Sequence, residues 1–286
     1  MTAVTNFESL HFLEQSDGPR FAIVTHPGGA PTGTGVVLCN GGWYPGSWNF
    51  NRLYVRLARA LADAGHLVVR FDWYGSGESP GYLDRYRLNE PFVDDVVAAA
   101  GLLEECDDIV GAGICFGAES LLRAADRIEH LIGLVLVSAS VPGSGPRARA
   151  TKMTVGSAIR SAIRPSVAMG LFDPYARRVY VKWLRLRWRA LSKRVRTAPR
   201  TPDRDTLASQ IQSLGRRGKR LWFLYGEGDV NLQAFSAEPL VSVSRSENIR
   251  IEVVPFDVEG SGTIGAQEAI SELITEMAGA VTRDRP

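Results

Sequence analysis

The 286-residue chain is 45% hydrophobic and 22% charged, enough apolar material for one large α/β core or two small ones. No stretch reaches the ~18 apolar residues of a membrane span, and three cysteines (Cys39, Cys106, Cys115) are too few, and odd in number, for a disulfide framework. The net charge of +2 hides a block between Pro146 and Arg200 with 15 Lys or Arg and one acid, Asp173, a local balance of +14 that leaves −12 elsewhere.

The chain opens on Met1–Leu10, which carries Asn6 and Glu8 and lacks the apolar core of a secretory leader. With the sparse cysteines this predicts a cytoplasmic protein. His11 lies near the first strand and His26 in an early hairpin. Gly35 to Asn40 reads as a buried strand ending in Gly41-Gly42, and a helix follows from Asn51 with Leu53, Leu57 and Leu61 on one face and Gly65 as its stop. Leu67–Phe71 is the next strand, then a turn-rich Gly75–Gly81; Pro91 is the expected start of a helix running to about Cys106. Ile109–Ile114 is a strand, Cys115–Ala125 a helix and Ile132–Val137 a strand.

This alternation predicts an α/β fold with a mostly parallel sheet and helices on both faces. It breaks after the sixth strand, where residues 142–202 read as a basic helical cap. Strands return at Leu221–Tyr225 and Ile249–Val254, with a last helix from about Ala266. The predicted organisation is a core of residues 1–141 and 203–286, with the cap inserted between them.

Gly113-Ile114-Cys115-Phe116-Gly117 is a G-x-C-x-G between a strand and a helix. A nucleophile on such a turn is held in a strained backbone and exposed, with small residues on both sides letting strand and helix approach. The helix amino end favours a thiolate, and the Phe116 N–H stands where an oxyanion would form. A buried structural Cys beside two chance glycines is the plainer alternative.

Asn40-Gly41-Gly42-Trp43, then Phe71 to Ser79, then the elbow, then Tyr225-Gly226-Glu227-Gly228-Asp229, together resemble the α/β-hydrolase superfamily over nearly the whole chain. Leu57 to Ser79 and the Cys-bearing elbow are similar to exosortase-associated hydrolases. Cysteine elbows also occur in dienelactone hydrolases and polyhydroxyalkanoate synthases. The resemblance implies Cys115 as nucleophile, Phe116 with Gly42 or Trp43 as oxyanion donors, and Asp229 at the acid position.

A histidine is expected after the last strand, but the sequence there reads Pro255-Phe256-Asp257-Val258-Glu259-Gly260. The four histidines, His11, His26, His66 and His130, lie elsewhere, with His26 the least implausible substitute. Asp257 and Glu259 therefore join Asp229 as candidate proton-transfer groups. Carboxylates around a thiol disfavour the thiolate, yet a pair of them suits proton abstraction.

Gly260 to Gly265 matches G-x-G-x-x-G, but no strand bearing an acidic residue ~20 positions on follows it, so it is not read as a nucleotide fingerprint. Neither a cofactor nor a metal is called for. In the cap, Val181, Leu184, Trp188, Leu191 and Val195 form one helical stripe among arginines. This fits a packed cover with a solvated basic face, docking of an acidic acyl carrier protein or a phosphopantetheine arm, or contact with an anionic membrane surface. Nucleic acid is disfavoured, because tryptophan lies along the packing stripe.

The expected activity is cleavage or transfer of an acyl group from a small-molecule ester or thioester through Cys115, in specialised metabolism. Two alternatives stand beside it. One is a lyase of the same fold that expels an acyloxy group, such as acetate, with a carboxylate base. The other is a non-catalytic binding module.

Overall fold

A computed structural model describes residues 6–41, 52–81, 92–139, 204–227, 229, 231–232, 247–255 and 264–283. Eight strands form one sheet: β1 (Phe7–Leu13), β2 (Arg20–His26), β3 (Thr34–Cys39), β4 (Leu67–Phe71), β5 (Asp108–Ile114), β6 (Leu131–Val137), β7 (Arg220–Gly226) and β8 (Ile249–Val254). Their spatial order is β1-β2-β4-β3-β5-β6-β7-β8. β2 runs antiparallel to both β1 and β4, and every other pair is parallel.

Among the described residues five helices flank the sheet: α1 (Leu53–Asp63), α2 (Val93–Gly101), α3 (Phe116–Ala124), α4 (Arg204–Arg216) and α5 (Ile264–Arg283). The period-2 geometry of the strands decides which helices they meet. In β3, Val37 and Cys39 join a core with Val96 and Ala99 of α2, Leu121 of α3 and Ile211 of α4. Val36 and Leu38 join the opposite core with Leu57 and Leu61 of α1 and Ile270 and Ile274 of α5. All six residues of β3 are buried, as a central parallel strand covered on both faces requires.

Two expectations on helix limits are corrected. The helix expected to run to Cys106 ends at Gly101, after which Leu102, Leu103 and Glu104 donate to carbonyls three residues back, a tightened turn that closes the helix. The helix expected from Asn51 begins at Leu53, because Arg52 before it is left-handed at φ 57°.

Between β4 and α2, Asp72 accepts from the Glu78 N–H at 2.8 Å, and Ser79 Oγ donates to the Asp72 carbonyl while accepting from the Phe21 N–H. Arg20 bonds Asp95 at 2.8 Å, with both side chains nearly fully buried, and its guanidinium lies over the Tyr74 ring. Burial, the largest influence on it, raises the Asp95 pKa against the opposing pull of Arg20. These contacts fix the turn-rich Gly75–Gly81 as a structural clasp between β2 and α2.

By its internal contacts the chain divides into two units, Met1–Val141 with Arg204–Pro286, and Pro142–Asp203. The described residues all belong to the first unit, and the basic cap expected at 142–202 lies outside them. Among the described residues no helix is long and apolar enough to cross a membrane.

Candidate active site

Cys115 sits between β5 and α3 with φ 50° and ψ −112°, a conformation L-residues rarely adopt. The neighbouring glycines explain how the chain holds it. A Cβ on Gly113 would come within 2.7 Å of the Ala118 nitrogen, and one on Gly117 would overlap the carbonyl oxygens of Cys39 and Asn40. Strand and helix therefore meet at backbone contact distance. The Cys115 N–H donates to the Val137 carbonyl at 2.8 Å, and its own carbonyl accepts from Glu119 in the first turn of α3. The amino end of α3 thus abuts the thiol, a position that favours negative charge. Cys115 is partly exposed, whereas Cys39 and Cys106 are buried, and burial pushes the Cys39 thiol far up.

Beside it runs the loop that leaves β3. Asn40 is buried; its Oδ1 accepts from Trp73 Nε1 at 2.7 Å and its Nδ2 donates to the Phe71 carbonyl. Tyr54 donates to the Cys39 carbonyl at 2.9 Å. A Cβ built on Gly41 would lie 3.9 Å from the Cys115 Cβ, so this loop runs past Cys115. Phe116, the other expected oxyanion donor, is the first residue of α3, and its ring packs edge-on against Trp73. Gly42 and Trp43 lie outside the described residues.

The register places three residues level on adjacent strands. Ile114 pairs with Val137 and Val137 with Leu224, so Cys115, Ser138 and Tyr225 stand side by side at the carboxyl end of the sheet. Ser138 has a positive φ of its own, 48°. Asp229 follows β7, only 4% exposed, its N–H bonded to the Gly226 carbonyl. Its Oδ1 accepts from the Asn231 N–H at 2.8 Å, and the Asn231 side chain donates to the Ser138 carbonyl at 3.2 Å.

Tyr225 is fully buried, and its hydroxyl donates to the Ala139 carbonyl at 3.4 Å. Burial first, then the charges of Asp229 and Cys115, push its pKa well above 10, so the phenol stays protonated. One side chain thus feels both expected functional groups, and sequence reading missed it, as it missed Ser138 and Asn231. The available signal was a hydroxyl at the end of an otherwise apolar strand, four residues before the acid.

All four histidines are placed, and none approaches Cys115. His130 gives its carbonyl to Ile109 at the start of β5, and His66 precedes Leu67, which is level with Ile109 through Gly35. At ~3.3 Å per residue that end of the strands lies roughly 20 Å below the elbow. His26 is at the same low end, on β2, and its imidazole bonds Ser9, which corrects its standing as the least implausible substitute. His11 is level with Gly113 but four strands away, about 19 Å at ~4.8 Å per strand. Asp257 and Glu259 lie outside the described residues, as does the start of the glycine-rich stretch that precedes α5. No cluster of three metal-ligating side chains occurs among the described residues.

The family model described as "Alpha/beta hydrolase family" matches residues 36–264, most of the chain. The chain belongs to that family. Similar solved structures share its fold at low identity. A proline iminopeptidase from Mycobacterium smegmatis is 15% identical with a TM-score of 0.59, over 96% of this chain and 99% of the other. An esterase from Pyrococcus furiosus is 15% identical at 0.59, over 96% and 91%. A dienelactone hydrolase from Anabaena variabilis is 13% identical at 0.59, over 95% and 96%. No curated protein matches the sequence. In this α/β hydrolase no histidine reaches Cys115.

Proposed function

We propose that this α/β hydrolase is an enzyme of acyl-group chemistry that uses Cys115 to cleave or transfer an ester or thioester without an imidazole base. The supporting observation is the strained, partly exposed Cys115 at the amino end of α3, level with Ser138 and Tyr225, with Asp229 joined to Ser138 through Asn231. In the first step the thiol proton passes to solvent or a carboxylate. Sγ then bonds the acyl carbon, the bond to the leaving oxygen or sulfur breaks, and that group takes up a proton. Water or an acceptor hydroxyl then displaces the acyl group and regenerates the thiol. In this reading Phe116 supplies one N–H donor for the oxyanion and Gly42 or Trp43 the other.

The +14 block at 146–200 supports an acidic acyl carrier protein or a phosphopantetheine arm as donor, with an anionic membrane surface the lesser fit. The free cysteines fit a cytoplasmic setting. The likeness of the elbow segment to exosortase-associated hydrolases, and a place in specialised metabolism, belong to the same proposal.

A second reading, elimination of an acyloxy group with a carboxylate base, is favoured by one observation: every histidine is remote while Asp229 is buried on the rim. The two readings are separated by intact-protein mass spectrometry with an activated acyl thioester, together with product masses. Acyl transfer predicts one adduct, lost in Cys115→Ala. Elimination predicts no adduct, alkene products, and turnover abolished in Asp229→Asn but retained in Cys115→Ala. An adduct persisting in Cys115→Ala refutes the nucleophile, and indifference to both substitutions favours a binding module.

A further inference from the structure

The two ends of the sheet differ. β8 carries exposed Val253, but Arg250 and Glu252 pair there at 2.9 Å and Arg250 also pairs with Glu276, so charge guards that edge. β1 has no such guard. Phe7, Leu10 and Phe12 are 59%, 66% and 61% exposed, and the strand's single charge, Glu8, is drawn back onto its own protomer by Arg70 at 3.2 Å and Arg59 at 3.4 Å. Seven residues pair with β2 on one side, and β1 is the end of the sheet among the described residues.

We infer that β1 is a self-association edge, which pairs antiparallel with β1 of a second copy about a two-fold axis through Leu10. An antiparallel pair related by a two-fold matches each residue with its mirror position about the axis. Only an axis at Leu10 uses the whole of Phe7–Leu13: Phe7 meets Leu13, Glu8 meets Phe12, Ser9 meets His11, and Leu10 meets its own copy. That register opposes no like charges, whereas an axis at Glu8 would set two carboxylates face to face.

Leu10 and Phe12 share one face of the strand, so the two copies contribute a four-residue apolar cluster across the seam, the diagonal neighbours included. On the other face Phe7, already stacked on His26, packs against Leu13 of the second copy. With ~150–250 Å² available from a buried aromatic, pairing covers roughly 300 Å² of apolar side chain per copy. A stable complex buries about 800 Å² per partner, so the dimer is reversible and concentration-dependent. Nothing in it depends on the chemistry at Cys115.

The test is sedimentation velocity on the full chain from about 1 to 200 µM, bracketing a micromolar dissociation constant. The wild-type mean mass should rise toward that of a dimer. Leu10→Lys and Leu10→Glu, each placing like charges on the axis, should stay monomeric at every concentration. An equimolar mixture of the two should recover the dimer, because only there do opposite charges meet. Thermal midpoints matching wild type, expected for a residue two-thirds exposed, separate lost association from lost fold. A wild-type chain that stays monomeric, single variants that dimerise like wild type, or a mixture that stays monomeric would each overturn the proposal.

Discussion

Replacing all four histidines with glutamine tests the site's most unusual feature. In a hydrolase triad, loss of the histidine lowers turnover about 10⁶-fold, because the nucleophile loses its base. Here the nearest approach in height is His11, about 19 Å from Gly113 across four strand spacings, and the other three sit roughly 20 Å below the elbow. A nucleophile–base hydrogen bond needs about 3 Å, so the substitutions should change the rate of Cys115 acylation by less than about tenfold, or ~1.4 kcal/mol. The cost should appear in stability. His66 is buried, its Nδ1 2.8 Å from Thr32 Oγ1, and losing that bond costs about 0.5–1.5 kcal/mol.

Burial holds the His66 pKa below its ordinary 6.5. Its contribution is therefore complete above that pH, and is lost as acidification protonates the unfolded chain first. His26, lowered by burial and by His11, acts in the same direction. The wild type should thus lose stability as pH falls below 6.5, and the variant should lose less. The assays are stopped-time mass spectrometry of the acyl adduct and urea melts at several pH values. A single His→Gln variant that slows acylation by ~10³ or more would refute the geometry, since a loss of that size means the imidazole acts at the nucleophile.

The buried Arg20–Asp95 pair should be strongly one-sided: Asp95→Ala leaves Arg20 buried without that partner and should cost about 3–5 kcal/mol in urea melts. Arg20→Met with Asp95→Leu should be less destabilised than either single variant; a fully additive loss would contradict the desolvation argument. Charge reversal at Arg185 and Arg189 should raise KM for a carrier-bound acyl donor more than for a free one. The difference should shrink with salt, as screening within ~10 Å at 0.1 M dictates, and equal losses on both donors would remove the carrier from the reading.

The strands were legible because each central one is an apolar run bounded by glycine or polar residues. Leu67–Phe71 and Ile249–Val254 coincide with their expected limits, and Cys115 was legible because Gly113 and Gly117 are demanded by contact with Ala118 and with the β3 carbonyls. Tyr225, Ser138 and Asn231 were not legible. Their places near Cys115 come from register, since three strands must lie side by side before the end of β7 lies level with the end of β5. The remoteness of the histidines was hidden for the same reason: the placement of β1 and β2 beyond β4 is a fact of topology, not of local pattern. Asp257, Glu259, Gly42, Trp43 and the cap are legible only as sequence.

The missing imidazole and the cysteine at the elbow belong together. A serine hydroxyl is a weak nucleophile at neutral pH and depends on an adjacent base, whereas a few per cent of a free thiol is already ionised at pH 7. Position 115 stands at the amino end of α3, where negative charge is favoured. An α/β hydrolase that lacks a base can therefore retain covalent chemistry with cysteine and not with serine. Under acyl transfer, Cys115→Ser should be as inactive as Cys115→Ala, even though serine occupies the same space and keeps a hydroxyl. Under elimination with Asp229 as base, the serine variant should keep most of its turnover, because the thiol then only lines the site. The serine substitution thus reads the mechanism more sharply than alanine does: it alters the nucleophile's acidity and leaves the shape of the elbow alone.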